Sequence, residues 1–213
     1  MILKHEAFLN LELKHGNQPK SFHEELYSGV TTFNQWNSKA KKLSTNYQQY
    51  GYKTQEKMIG DMFEIFAEIF FKSFPCDNTL GIYDYNPVSG SEDYGVDGIA
   101  KGILDQTQSA IQVKWRSNPT VELVSNDLKQ FVGHAYTTYD IDKKSQTGLI
   151  VFTNTAGLHW HTDTKVLNRQ LRVINGEKIK GMVDGNLGFW KSQVHQLINN
   201  TLYKRLNRPA YNF

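Results

Sequence analysis

The sequence predicts an α/β domain, a mixed central β-sheet flanked by helices, preceded by a helical N-terminal extension. Three observations predict it. Gln55 to Phe71 is apolar around much of a helical circumference and reads as a buried helix. Gly95–Lys101 and Ala110–Arg116 read as two strands joined by a polar connection, Gly102 to Ser109. Gly148–Asn154 is a short apolar run bounded by turn residues, the pattern of a strand covered on both faces. Helices, a hairpin, then helix, strand, strand and helix make an α/β order.

The elements follow in chain order. Residues 1–50 form the extension. A loose helix start lies at Ser21 to Leu26. Phe33, Trp36, Ala40 and Leu43 then recur at three- and four-residue spacing, an amphipathic helix. Lys39, Lys41 and Lys42 fall toward its polar side and read either as a solvated face or as a patch that contacts phosphates. In the next helix, Met58, Met62, Phe63, Ile65, Phe66, Ile69 and Phe70 supply the apolar surface. Asp61, Glu64 and Glu68 share one stripe of it. A buried carboxylate is costly without a partner, so these acids must meet water, a metal, or a cation such as Lys57 or Lys72.

Ser73 to Gly90 is loop-like, with room for a short strand at Leu80 to Tyr85. Pro119 closes the second hairpin strand, and Val121 to Tyr139 reads as a helix with Leu123, Leu128, Phe131, Val132 and Ala135 inward. Leu171 to Gly176 reads as a strand ending in a turn. Phe189 to Tyr203 reads as a last helix with Trp190, Val194, Leu197 and Leu202 inward, and Arg208 and Pro209 begin a tail.

With 213 residues and 39% hydrophobic content, the chain has material for one sizeable core. Cys76 is its single cysteine, which excludes an internal disulfide and a cysteine-based zinc site. No apolar run approaches the length of a membrane span, and Met1 to Glu6 lacks a signal-peptide pattern. An intracellular, cytoplasmic protein is expected. The net charge of +3 permits nucleic-acid binding without requiring it. Neither a dinucleotide-binding nor a P-loop glycine motif occurs.

The chemistry concentrates between Asp93 and Arg116. Asp97 is flanked by Gly95 and Gly98, which leave room for close approach. Gln112 and Lys114, two residues apart on a strand, share a face, while Val113 points to the other. If the hairpin register brings Asp97 to that face, a carboxylate, a neutral oxygen and an ammonium converge. Phosphodiester hydrolysis needs such a set: oxygen ligands for a hard divalent cation and a positive charge near the developing negative one. Glu64 is the candidate second carboxylate, with Glu68 as substitute if the helix register differs.

Gly60-Asp61-Met62-Phe63-Glu64, Tyr94-Gly95-Val96-Asp97-Gly98 and Ile111-Gln112-Val113-Lys114 resemble the motifs of the PD-(D/E)xK nuclease superfamily. The resemblance is closest to its Mrr-like restriction endonuclease branch, where Gln replaces the second acid. Asp127 to Phe131 and the strand from Gly148 to Asn154 fit the continuation of that core. The resemblance spans roughly residues 55–180 and departs in having no proline before Asp97.

It implies a restriction-endonuclease-like domain over 51–213 and a Mg²⁺-dependent DNA endonuclease, with Mn²⁺ substituting. Glu64, Asp97 and Gln112 would arrange the metal, and Lys114 would act on the nucleophile or phosphate. Similar modules occur in mobile elements. Double-strand cutting would need a homodimer or two successive nicks.

The rivals are a DNA-binding module on the same fold and a nuclease for RNA or branched DNA. Trp115 and Arg116 read as core edge or as DNA contacts, and Thr153 and Asn154 as polar groups at a strand end near the site. His159 and His161 lack the further ligands a metal would need.

Overall fold

A computed structural model describes residues 11–13, 20–88, 95–104, 106–145, 148–159 and 171–193. Met1 to Glu6, Asp93, Tyr94, His161, Val194, Leu197, Leu202, Arg208 and Pro209 lie outside these described residues. The elements in order are β1 (Glu12–Leu13), β2 (Lys20–Ser21), α1 (Phe22–Tyr27), α2 (Phe33–Leu43), a 3₁₀ segment (Ser44–Tyr50) and α3 (Gln55–Ser73). Then come β3 (Ile82–Pro87), β4 (Gly98–Gly102), β5 (Gln108–Lys114), β6 (Glu122–Leu123), α4 (Ser125–Thr137), β7 (Leu149–Thr153), β8 (Gly157–Leu158), β9 (Leu171–Ile174), α5 (Gly176–Val183) and a π-helical turn (Gly188–Gln193).

The central sheet has five strands in the order β3-β4-β5-β7-β9. The first three are antiparallel, and β5, β7 and β9 run parallel. It is a mixed sheet, with helices on both faces.

Alternation along each strand sorts the core into two layers. Ile111, Val113, Ile150 and Phe152 join a cluster with α1, α2, α3, α5 and the π-turn. Ala110, Leu149 and Val151 join a second cluster with Leu128, Phe131 and Ala135 of α4. Every residue of β7 is buried, as its unbroken apolar run requires.

Helix α3 starts at an N-cap, where the Thr54 side chain accepts from the Lys57 N–H at 3.1 Å. Phe63 and Phe70 pack on Phe152 with ring centroids 5.2 and 5.1 Å apart. Ser21 and Thr32 cap α1 and α2. Trp36 and Phe22, both fully buried, put these N-terminal helices into the same cluster as α3.

Several sequence expectations are corrected. The helix read over Val121–Tyr139 is a short strand, β6, followed by α4, because Glu122 and Leu123 pair in parallel with Gly157 and Leu158. The strand expected from Gly95 begins at Gly98, and the strand expected to reach Arg116 ends at Lys114. The turn after β9 opens a helix, α5: Asn175 accepts from the Lys178 N–H at 3.0 Å, and Ile179 and Val183 face the core. Of the last expected helix, residues 188–193 form the π-turn, with Trp190 buried as anticipated.

Candidate active site

The site forms where β4 and β5 part. Their ladder runs from Lys101–Gln108 to Gly98–Ile111. One step beyond, the Asp97 N–H still donates to Ile111 O at 2.8 Å. The next N–H of β5, that of Val113, donates to the Asp97 carboxylate (Oδ2) at 2.7 Å. A side chain has replaced the strand backbone as acceptor, which satisfies the buried amide and fixes the carboxylate. Asp97 is 7% exposed.

Gly98 already pairs with Ile111, so the Asp97 N–H reaches that same residue out of register, and the Asp97 carboxylate is held at Val113, the residue after Gln112. Gln112 is 6% exposed, and its Oε1 is buried with no hydrogen-bond partner. Such an atom costs on the order of 1–3 kcal/mol unless something binds it. Gly95, at φ +81°, makes room for this carboxamide: a Cβ there would lie 3.3 Å from Gln112 Nε2 and 3.6 Å from the Phe131 main-chain N.

Lys114 follows on the same strand face and is half-buried. Burial pulls its ammonium below the ordinary lysine pKa, and the like charge of Arg116 adds to this, while Asp127 and Asp97 oppose it. Arg116 ion-pairs with Asp127. Asp127 also accepts from the Val124 N–H at 3.0 Å at the start of α4. The Arg116 main chain is gripped on both sides by Asn154, which accepts from its N–H and donates to its carbonyl, each at 2.8 Å. Thr153 Oγ1 accepts from the Thr155 N–H at 3.2 Å. These two strand-end residues therefore organise their own backbone and that of Arg116.

The acidic stripe of α3 separates into two kinds. Asp61 meets Lys57 at 2.7 Å, and the fully buried Glu68 meets Lys72. Glu64 is half-buried. Burial, and then the charges of Asp97, Glu68 and Glu64, raise the pKa of the Tyr85 hydroxyl well above that of an ordinary tyrosine.

The helix-α2 lysines differ from one another. Lys39 pairs with Glu25 at 3.3 Å and donates to Ser28 O at 2.6 Å. Lys41 donates to Ser117 O at 3.1 Å and lies 5.8 Å from the centre of the Trp115 ring. Lys42 is exposed. Trp115 packs in the core and donates from Nε1 to Asn37 Oδ1 at 3.0 Å. The His159 side chain is exposed, and its N–H donates to Leu123 O at 2.8 Å.

Asp127 and Tyr85 had no site role in the sequence reading. An aspartate in a first helical turn reads as a cap, and a tyrosine in a short strand reads as core. Neither pattern points to its partners.

The orphaned Gln112 Oε1 is a buried acceptor in want of a partner, and a hard divalent cation would suit it. Among the described residues no three His, Cys, Asp or Glu side chains converge as a metal-holding group. No described helix is long and apolar enough to cross a membrane.

No known family model matches the sequence, and no curated protein matches it. Among solved structures, the chain is similar to metal-depleted Ecl18kI in complex with uncleaved, modified DNA, at 14% identity and a TM-score of 0.35. The match covers 89% of this chain, which spans 61% of that one. A likeness at that level assigns neither family nor chemistry.

Proposed function

We propose that the protein is a metal-dependent DNA endonuclease with a PD-(D/E)xK, restriction-endonuclease-like core. The observation that carries this reading is the unpartnered, buried Gln112 Oε1, on the strand face of Lys114 and next in sequence to the Val113 N–H that holds the Asp97 carboxylate. Glu64, Asp97 and Gln112 would hold Mg²⁺, with Mn²⁺ in its place where supplied. The bound cation would supply Lewis-acid polarisation of the phosphate and a lowered pKa for water.

The chain's own groups supply the rest. The Val113 N–H holds the Asp97 carboxylate in one orientation. Lys114 keeps its proton at Nζ and stabilises the negative charge that grows as a water oxygen bonds to phosphorus and the bridging P–O bond breaks. The water's proton passes to solvent, and the departing alkoxide takes one back. Arg116 contacts the DNA backbone, and Lys39, Lys41 and Lys42 extend the basic surface along α2. One site cuts one strand, so a double-strand break needs a homodimer or a second nick.

The test is cleavage of supercoiled plasmid, relaxed circle against linear product, with Mg²⁺ or Mn²⁺. Wild type should cut, and Asp97→Ala and Lys114→Ala should not. If wild type cuts no duplex, single-stranded, branched or RNA substrate with either metal, or if both variants cut like wild type, the reading is wrong. Binding of DNA without cleavage would make the protein a DNA-binding module. Cleavage of RNA or branched DNA alone would reassign the substrate.

A further inference from the structure

Strand β5 loses one of its two neighbours just before it reaches Lys114. Its ladder with β4 ends at Gly98–Ile111, while its ladder with β7 runs on to Lys114–Thr153. From Gln112 onward the strand has a strand partner on one side alone, and past Lys114 the β7 ladder stops as well. A chain end held by so few backbone bonds tends to open locally.

Two carboxamides take over where the strands leave off. Asn154, one residue past β7, accepts from the Arg116 N–H and donates to the Arg116 carbonyl, each at 2.8 Å. Its side chain thus stands in for the backbone of a further strand residue. From helix α2, Asn37 Oδ1 accepts from the Trp115 indole N–H at 3.0 Å, and Lys41 donates to Ser117 O at 3.1 Å. Trp115 is itself buried in the cluster that holds α2 and α3. On the other side of Lys114, the Val113 N–H is held by the Asp97 carboxylate. Val113, Trp115, Arg116 and Ser117 are therefore each tied to another element, and Lys114 lies within that run. Its main chain is pinned from both directions, which leaves its side-chain torsions as its freedom.

We propose that Asn37 and Asn154 are positioning residues: together they clamp the chain that leaves β5 and so aim Lys114 at the reacting phosphate. The role rests on the nuclease reading above. It makes α2 part of the scaffold of the site, besides a carrier of basic side chains. Misplacing a reacting group by about 1 Å can cost on the order of a hundredfold in rate, so the clamp acts on the rate of cutting more than on how tightly DNA is held. The two residues also differ in a way that chemistry can read. Among the described residues Asn37 uses its oxygen alone, whereas Asn154 uses both its oxygen and its nitrogen. Aspartate keeps an acceptor and loses the donor. It can replace Asn37 and cannot replace Asn154.

The test is single-turnover nicking of supercoiled plasmid at saturating DNA with Mg²⁺, run on the full chain well below each variant's thermal midpoint, with DNA affinity measured without metal. Asn37→Leu and Asn154→Asp should each lower the saturated rate by about tenfold to a hundredfold and change DNA affinity by far less. Asn37→Asp should cut close to the wild-type rate. If Asn37→Leu and Asn154→Asp cut like wild type while Lys114→Ala does not cut, the clamp is overturned and the nuclease reading stands. The clamp is also overturned if Asn37→Asp is as slow as Asn37→Leu, or if affinity falls as far as the rate. Should Asn154→Asp show no cooperative melt, the two Asn37 variants decide. If wild type cuts no DNA, the clamp and the nuclease reading both fall.

Discussion

The two flanks of Asp97 are built on different principles. On the α3 flank, Glu68 is fully buried against Lys72, and Tyr85 is wedged between Phe71 and Gly98. Charged and polar groups there are set in a close-packed aromatic core. On the α4 flank, Lys114, Arg116 and Asp127 are all part-exposed, and their ion pair is open to water. A packed flank keeps its geometry through a reaction. An open flank exchanges partners at little cost, because surface ion pairs contribute only about 0–1 kcal/mol. The division suits the proposed site, which would hold a cation on one side and admit a polyanion on the other.

The sharpest way to break the contrast is through the aromatic core. Phe66 is fully buried, so Phe66→Ala should cost about 3–5 kcal/mol in urea unfolding. Lys114→Met, on the open flank, should leave the urea midpoint intact or raise it and slow cleavage by at least about a hundredfold. The sign follows from linkage. The folded state lowers the Lys114 pKa, so the charged amine opposes folding at neutral pH. That opposition fades as pH rises from the lowered value to the unfolded one. The gain from Lys114→Met should accordingly shrink in alkaline buffer.

A finer test uses two acids on one helix. Glu68→Gln should cost about 1–3 kcal/mol, since it leaves the mostly buried Lys72 without its counter-ion, and should spare cleavage. Glu64→Gln should do the reverse, with a small change in stability and a large loss of metal-dependent cutting. Smallest is Arg116→Ala. It should weaken DNA binding without metal at every sequence tested and reduce the slope of log affinity against log salt by about one. A slope unchanged by this variant would remove Arg116 from the DNA-contacting surface.

How much of this was legible in the sequence depended on range. The apolar wrap of α3 and the unbroken run of β7 announce buried elements, because local periodicity reports burial directly. The common face of Gln112 and Lys114 follows from the two-residue period of a strand. The α5 helix was hidden because Asn175-Gly176 reads as a turn, although Asn175 is its cap. The pair β6–β8 was hidden because two residues carry no period. The spacing of Phe33 and Trp36 marks an apolar face but not what covers it, and here that face meets α3.

The same limit governs the site. Alternation alone does not say where Tyr85 points, because the shift at Asp84 breaks the alternation. Arg116 and Asp127 lie eleven residues apart, and Arg116 and Asn154 thirty-eight. No local pattern encodes such pairs.

Trp115 stands one residue past Lys114, its indole N–H on Asn37 and the Lys41 ammonium 5.8 Å from its ring centre. An indole so placed is an optical reporter installed beside the chemistry. A polyanion drawn to Lys114 and Arg116 alters the electric field at the ring and thus its emission. Trp36 and Trp190, sealed in the core, contribute a steady background, and the fourth tryptophan, Trp160, lies outside the described residues. If the protein takes DNA as proposed, its arrival should be readable from the protein's own fluorescence, without a label, as the part of the signal that Trp115→Phe removes.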